Sequence, residues 1–335
     1  MRSKNILVTG CGGDIGQSIG KILKTEYNDL NIIGCDIYKE HAGQFIFDVC
    51  KEVPRVNNKE YLKSIKEMMK KFQIDLIIPT SEAELKFYLD NKISYINKVP
   101  LVMPDFSTME IGNDKFLTQK FLKDNNLPFA WTVKTNEGVP KEFPCVLKHI
   151  SGKGSKDIKI ISETEYKNNK WNDKDFIYQE YIPSDDEEYT CGLFRGNNGI
   201  IKSIIFNRKL TGGYTGFGEV IKNESIEKLL ENIAVNLDLR GSINVQLRIK
   251  NNEIPIVFEI NSRFSSTVLF RYMLGFKDLI WSIDNSLGNK IQFNFDQSKI
   301  VGSKIYKGWQ EYYVDGDGDN YILDNKKLEI NVLSR

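Results

Sequence analysis

Residues 257–267 read VFEINSRFSST and place an acid, an amide and an arginine two positions apart, at Glu259, Asn261 and Arg263. Side chains at i and i+2 of an extended strand project from one face, so these three are expected to point together. Carboxylate and amide oxygens are suitable ligands for Mg²⁺, and a guanidinium adds a permanent charge with forked donors. The stretch therefore predicts one side of a metal–phosphate site.

A second strand-like stretch comes shortly before the first. Residues 244–248 read NVQLR, and Asn251 with Asn252 is a turn-forming pair between the two strands. A hairpin with this turn would place Gln246 near Glu259 and so add another oxygen ligand. Taken alone, the pattern is equally consistent with an ordinary hairpin whose polar face meets solvent.

The composition of the chain is that of a globular protein and excludes several classes of function. It has 335 residues, of which 41% are hydrophobic and 27% are charged, and a formal net charge of +1. That length allows two or three domains, and so small a net charge predicts neither a nucleic-acid partner nor attraction to a membrane surface. No apolar run reaches the length of a membrane span, and residues 1–4 lead straight into a predicted strand, so no signal peptide is expected.

Cysteine and histidine usage indicates a reducing compartment. The five cysteines are scattered and form no Cys-x-x-Cys motif, which predicts free thiols and a cytoplasmic location. With only two histidines, His41 and His149, a His-rich zinc site is not expected.

The N-terminal part alternates between strand and helix patterns. An apolar strand at residues 6–9 leads into a glycine-rich turn, GCGGDIG at 10–16, and a second strand ends at Asp36. This βαβ opening resembles a dinucleotide-binding fingerprint, but Asp14 stands where a G-x-G-x-x-G counted from Gly12 requires glycine. Because a tight turn needs glycine whether or not a nucleotide binds, a structural role is the simpler interpretation. The alternation predicts a small doubly wound domain.

Two lysines and a glycine loop follow. Lys115 lies in the first turn of a predicted helix, where a cation is disfavoured by the helix dipole. A nearby anion would explain a cation at this position, although a lone lysine there is more simply interpreted as a solvated surface residue. The sequence predicts that Lys148 ends a strand and that residues 151–155, SGKGS, form a flexible loop before the next strand. A P-loop would lead into a helix, but these glycines would still let backbone N–H groups approach phosphates.

Other charged residues stand at the edges of predicted strands or beyond them. The strand at 176–182 ends with Glu180, Tyr181 and Ile182, and Glu188 begins the next strand after an acidic run. A carboxylate at such an edge can accept both hydroxyls of a ribose. Farther along the chain, Arg271 could pair with a substrate carboxylate or form a structural salt bridge.

Together, these motifs resemble the ATP-grasp superfamily, most nearly its carbamoyl-phosphate-synthetase-like ligases, over about residues 1–285. The resemblance implies an α/β fold in which a small doubly wound N-terminal domain, residues 1–110, precedes a two-lobed ATP-grasp (α+β) nucleotide-binding fold. The small lobe would span residues 111–183 and carry the phosphate loop. The large lobe would span residues 184–335 and carry the metal site and the C-terminal strands.

The resemblance also implies how ATP would be held. Lys115 and Lys148 would contact its phosphates, and a loop with Gly152, Gly154 and Ser155 would close over them. The adenosine would be held by four further residues: Glu180, Tyr181 and Ile182 at the adenine, and Glu188 at the ribose.

The same resemblance implies the metal and catalytic residues. Gln246, Glu259 and Asn261 would bind Mg²⁺, or Mn²⁺ in its place. Arg263 would stabilise the transferring phosphoryl group, and Arg208 would sit beside the acyl phosphate with the glycine loop that starts at residue 212. The chain departs from the family pattern at three positions, His149, Asp157 and Ser262.

The implied activity is that of an ATP- and Mg²⁺-dependent ligase. It would activate a small-molecule carboxylate as an acyl phosphate, join it to an amine and release ADP and phosphate, and many relatives of this kind are homodimers. Two alternatives stay open. One is a nicotinamide-dependent oxidoreductase that uses the N-terminal glycine turn and Asp36, and the other is a nucleotide-binding protein with an inactive site.

Overall fold

The computed structural model describes residues 5–152, 158–169, 171–183, 188–251, 253–308, 312–314, 320–324 and 329–332. The helices in these ranges are α1 Asp14–Glu26, α2 Tyr61–Phe72, α3 Glu82–Asp90, α4 Phe106–Asn113, α5 Lys115–Asp124, α6 Glu163–Asn168, α7 Glu224–Asn236, α8 Val268–Met273 and α9 Asp278–Leu287. Short 3₁₀ turns span Ala42–Phe45 and Gln297–Lys299.

The strands form three larger sheets and two small ones. In chain order they are β1 Asn5–Thr9, β2 Asn31–Asp36, β3 Val49–Glu52, β4 Leu76–Ile78, β5 Tyr95–Ile96, β6 Val99–Pro100, β7 Thr132–Lys134, β8 Cys145–His149, β9 Lys159–Ile161, β10 Phe176–Glu180, β11 Glu188–Arg195, β12 Ile201–Thr211, β13 Tyr214–Val220, β14 Gly241–Lys250, β15 Ile254–Asn261, β16 Lys304–Tyr306, β17 Tyr312–Val314, β18 Asn320–Asp324 and β19 Glu329–Val332.

The N-terminal sheet is parallel, with strand order β3-β2-β1-β4. Alternate residues of β1 face opposite sides of it, as strand geometry requires. Ile6 and Val8 are buried in a core with Ile19 of α1, whereas Leu7 is buried in another core with Ile65 of α2. Helices therefore cover both faces, which confirms the predicted doubly wound arrangement.

The turn between β1 and α1 is closed by contacts that leave no room for larger residues. Gly10 adopts a positive φ of 63°, and a Cβ on Gly16 would lie 2.3 Å from the carbonyl oxygen of Gly10. The backbone N–H of Gly12 donates to Asp36 Oδ2 at 2.9 Å. The glycines and the acid that resemble a dinucleotide fingerprint thus have a structural use in this turn.

Two antiparallel sheets follow, and they form the two lobes that the resemblance implies. The four-stranded sheet has the order β7-β10-β8-β9, and the six-stranded sheet has the order β15-β14-β11-β12-β13-β16. Helix α7 covers one face of the larger sheet, where Ile233 packs in a core with Val245 and Leu247 of β14. The intervening residue Gln246 lies on the opposite face, which is free to carry polar groups.

Arg271 has a structural role. Its side chain is fully buried, and its guanidinium donates to Asp278 at 2.8 Å and to the Ser265 hydroxyl at 2.8 Å. Asp278 also accepts a hydrogen bond from Ser242 of β14. Of the two roles considered for Arg271, the structural salt bridge is the one that the structure has.

No helix among the described residues is both long enough and apolar enough to cross a membrane.

We expect Gly16→Ala to lower the free energy of unfolding by about 2 kcal/mol, because the new Cβ must displace backbone at a packed turn. Gly13→Ala is the matched control. Its Cβ would lie 3.4 Å from the same Gly10 oxygen, an ordinary contact. Urea unfolding of both variants measures the difference, and equal stabilities would contradict the packing argument.

Candidate active site

The hairpin of β14 and β15 brings the predicted metal ligands together. Gln246 and Glu259 are direct cross-strand partners, and Asn261 lies opposite Asn244. The register shifts between Gln246 and Leu247, because the next partner is Val257 and one extra residue, Phe258, is inserted in β15. This β-bulge keeps Val257 in the apolar core while Glu259 stays opposite Gln246.

Two lysines from the small lobe approach the same hairpin. Lys148 of β8 is only 4% exposed, and its ammonium lies 3.4 Å from the carbonyl oxygen of Phe258. Lys115, at the start of α5, is 9% exposed and lies 3.6 Å from Glu259 Oε1. Its ammonium also donates to the carbonyl oxygen of Gly152 at 3.1 Å. The solvated position considered for Lys115 is therefore not observed.

Burial makes Lys148 unusually easy to deprotonate. Loss of hydration lowers its pKa to about 7, and the positive charge of Lys115 acts in the same direction. The carboxylate of Glu259 opposes this and favours the charged form. A phosphate anion beside Lys148 would add to the effect of Glu259, so the site is suited to gain an anion.

Glu188 is held between two arginines. Arg208 of β12 donates to its carboxylate at 2.5 Å, and Arg248 of β14 does so at 2.7 Å. Burial alone would raise the pKa of Glu188, but the charge of Arg208 and the hydrogen bonds from both arginines outweigh it and keep the pKa below its usual value. Arg208 also donates to Gln246 Oε1 at 2.9 Å, which links this cluster to the hairpin.

The end of β10 carries the residues expected at the adenine. The Glu180 carboxylate accepts a hydrogen bond from the backbone N–H of Trp131 at 3.2 Å and forms an ion pair with Lys250 of β14. The carbonyl oxygen of Ile182 accepts from Arg248 at 2.8 Å, and Tyr181 between them is half-buried. These groups border the lobe interface, next to the Glu188 cluster.

Arg263 contacts the N-terminal domain. Its guanidinium donates through Nε and a terminal nitrogen to Glu82 Oε1, at 3.0 and 2.7 Å, and it also donates to the carbonyl oxygen of Phe264. Glu82 belongs to α3 of the N-terminal domain. The arginine expected at the phosphoryl group is therefore engaged in a contact between that domain and the segment that follows β15.

The phosphate loop is described only in part. Gly152 has a φ of +105°, a conformation that favours glycine, and a Cβ there would meet no atom within 4 Å. The predictions for Gly154 and Ser155 lie outside the described residues.

Sequence reasoning missed three residues of this site. Arg248 and Lys250 follow Gln246 at i+2 and i+4 on β14, so strand parity could have identified both. The ring of Phe258 lies 5.7 Å from the Lys148 ammonium and 5.6 Å from the Arg248 guanidinium. No sequence pattern predicts that Phe258 belongs to this site, because the orientation of its ring depends on the bulge.

The arrangement is that of a site for a charged ligand between the lobes. Buried cations from both lobes stand around the carboxylates of Glu188 and Glu259, and oxygen ligands from β14 and β15 lie next to them. Such a set can neutralise several phosphate charges and hold a hard cation.

Two family models match the chain. Residues 112–267 match the ATP-grasp domain, and residues 6–99 match the PylC-like N-terminal domain. The two matches follow one another along the chain, in the order of the doubly wound sheet and the two-lobed part.

Known structures share the fold. N5-carboxyaminoimidazole synthetase from Staphylococcus aureus, complexed with ADP, aligns with a TM-score of 0.69 at 14% identity and covers 86% of this chain and 78% of its own. L-amino acid ligase from Bacillus licheniformis aligns with a TM-score of 0.67 at 16% identity and covers 93% and 83%. At these identities the likeness shows the fold alone.

A curated relative matches a shorter part of the chain. A protein from Methanocaldococcus jannaschii is 31% identical over 105 residues, which is 29% of this chain and 32% of the relative. The chain spans less than half of the length of the curated relatives it matches. The two family matches show that the chain contains an ATP-grasp domain, preceded by a PylC-like N-terminal domain.

Proposed function

We propose that the protein is an ATP-dependent ligase that activates a carboxylate as an acyl phosphate and joins it to an amine. The observation that carries the proposal is the convergence of Lys115 and Lys148 on Glu259, which has Gln246 as its cross-strand partner. Buried cations beside a metal-ligand pair are what a magnesium–phosphate complex requires. ATP would be bound by the residues named from the resemblance, with Arg248 and Lys250 as additions.

The residues at the hairpin fit a divalent cation. Glu259 supplies a carboxylate and Gln246 and Asn261 supply amide oxygens, which is a ligand set for a hard cation such as Mg²⁺ or Mn²⁺. Asn244, opposite Asn261, has a buried amide nitrogen with no hydrogen-bond partner in the described part of the chain, and this N–H donor suits a phosphate oxygen beside the cation. A bound Mg²⁺ would neutralise phosphate charge and polarise phosphoryl oxygens.

The chemistry follows from charge and leaving groups. A carboxylate resists attack because it is an anion without a good leaving group. When its oxygen attacks the γ-phosphorus of ATP, the bond to ADP breaks and an acyl phosphate forms. The amine then attacks the carbonyl carbon, phosphate leaves and the amine loses a proton. Lys115, Lys148 and Arg263 would stabilise charge on the phosphoryl group, and exclusion of water would protect the acyl phosphate.

Other observations bear on the oxidoreductase alternative, on the cellular location and on the partners of the protein. Asp36, which an oxidoreductase would use at a ribose, already accepts hydrogen bonds from the backbone of Gly12 and Tyr38. The five cysteines are free thiols, which supports action in the cytoplasm. We propose small-molecule substrates and no nucleic-acid or membrane partner, and the homodimer stays a prediction.

Phosphate release tests the function directly. We expect ADP and phosphate to appear only when ATP, Mg²⁺, a carboxylate and an amine are all present, in a screen of pooled amino acids, small acids and sugar acids.

Glu259→Gln should lower the rate of phosphate release at least about a hundredfold, because a negative charge is lost at the metal. Glu253→Gln, exposed on the same hairpin, is the control. Binding of NAD(H) without ATP would favour the oxidoreductase, and ATP binding without turnover would favour the inactive site.

The affinity for MgADP should depend on pH through Lys148. Its pKa is lowered to about 7 in the free protein, and the phosphates favour the charged form, so binding above that pH must take up a proton. We expect Kd to rise with pH above about 7, by at most about tenfold per unit. Titration calorimetry should find this slope lost in Lys148→Arg, which stays charged, and retained in Lys134→Met, a half-buried lysine of β7 that pairs with Glu137. A slope retained in Lys148→Arg would contradict the assignment.

The ion pair with Glu82 separates a catalytic role of Arg263 from a positioning role. We expect Arg263→Ala to lower kcat about 10²–10³-fold, with a smaller change in the KM for ATP. Glu82→Gln breaks the ion pair but keeps the guanidinium, so kcat should change by less than about threefold if Arg263 acts on the phosphoryl group. Equal losses of kcat in both variants would show that Arg263 only positions the N-terminal domain.

A further inference from the structure

Three potential metal ligands from separate segments meet beside the glycine turn of the N-terminal domain. They are Cys11 in the turn, His41 before the first 3₁₀ turn and Cys50 in β3. One ligand atom of each lies within 4.8 Å of the other two. Cys11 Sγ is 3.8 Å from His41 Nε2 and 4.0 Å from Cys50 Sγ. None of these residues takes part in the proposed ligase chemistry.

These distances are those of a coordination shell. A zinc ion about 2.3 Å from each of two thiolate sulfurs, in tetrahedral geometry, holds them about 3.8 Å apart. The two sulfurs already lie at 4.0 Å, well beyond the about 2.05 Å of a disulfide bond. The two sulfurs therefore need to move by only a few tenths of an ångström to share one ion, and the imidazole nitrogen lies within 4.8 Å of both.

Glycines around the cluster leave the space that its side chains occupy. A Cβ on Gly34 would lie 2.7 Å from Cys11 Sγ. A Cβ on Gly12 would lie 2.7 Å from His41 Cγ, and one on Gly43 would lie 2.9 Å from His41 Nδ1. Three backbone positions thus accommodate the sulfur and the imidazole.

The imidazole has few other partners. His41 Nδ1 is buried and makes no hydrogen bond in the described part of the chain, so packing and the Cys11 sulfur hold the ring. Asp36 Oδ2, which accepts a hydrogen bond from the backbone N–H of Gly12 at 2.9 Å, brings a negative charge to the same turn and favours a cation there. Cys11 is fully buried, but His41 and Cys50 are partly exposed, so an ion can enter and water can complete its coordination.

We propose that Cys11, His41 and Cys50 bind one Zn²⁺ ion per chain. Soft thiolates with an imidazole select such a metal over Mg²⁺. Binding exchanges the two thiol protons for the ion and leaves one position to water. The ion would tie the turn after β1 to β3 and to the segment before the 3₁₀ turn. Asp14 of the same turn forms an ion pair with Lys307 at 2.5 Å. By fixing the turn, the zinc ion would therefore also stabilise this contact with the C-terminal part of the chain.

Cobalt substitution in the reduced full-length protein tests the site. After removal of metal with a chelator, Co²⁺ should give a thiolate-to-cobalt charge-transfer band that saturates at one equivalent and disappears when Zn²⁺ is added. Cys50→Ser and His41→Asn should lose the band, and Cys145→Ser, whose thiol lies in the small lobe, should keep it. A band that survives Cys50→Ser, or no band in the unaltered protein, would overturn the proposal.

A second measurement does not depend on whether the variants fold. Zn²⁺ should slow alkylation of Cys11 and Cys50 in the unaltered chain and leave Cys145 unaffected, as peptide mass mapping can show. Equal alkylation with and without Zn²⁺ would also overturn the proposal. So would a Cys11–Cys50 disulfide in a protein that takes up no metal after reduction. None of these readouts requires ligase activity, so they are independent of the proposed function.

Discussion

The site depends on a buried positive charge that faces a carboxylate across the two lobes. Lys148 belongs to the four-stranded sheet and Glu259 to the six-stranded sheet, and neither sheet alone holds both charges. Removing an ammonium from water is costly unless an anion lies nearby. The attraction between these charges therefore favours the relative position that the two sheets adopt, and Lys115, which pairs with the same carboxylate, adds to it.

A second constraint comes from charge balance around Glu188. One carboxylate is shared by Arg208 and Arg248, so the cluster keeps an excess of positive charge. The guanidinium of Arg208 also donates a hydrogen bond to the amide oxygen of Gln246, so part of this positive charge lies next to the β14–β15 hairpin. If phosphate binds here as proposed, this excess positive charge would favour its approach, and binding would exchange some protein–protein contacts for contacts with phosphate.

Much of the fold was accessible from sequence because it follows from local periodicity. The doubly wound sheet and the lobe order rest on strand parity and turn residues. The same signals place Gln246 near Glu259, but their direct pairing depends on the bulge at Phe258, which no local pattern indicates. Burial of Lys115 was not accessible, since a charge in the first helical turn is compatible with solvent as well as with a partner. The Glu82 contact of Arg263 joins residues 181 positions apart, and no local pattern encodes it. The same holds for the meeting of Cys11, His41 and Cys50.

The bulge in β15 determines where this hairpin can vary in length. Phe258 has no opposite residue of its own, so a chain shortened there would regain regular pairing with Val257 still against Leu247 and Glu259 still against Gln246. A residue removed anywhere else in the strand would rotate every later side chain to the wrong side of the sheet. We therefore expect a natural or engineered deletion in this segment to be tolerated only at Phe258. Such a deletion would remove the aromatic ring that lies beside Lys148 and Arg248.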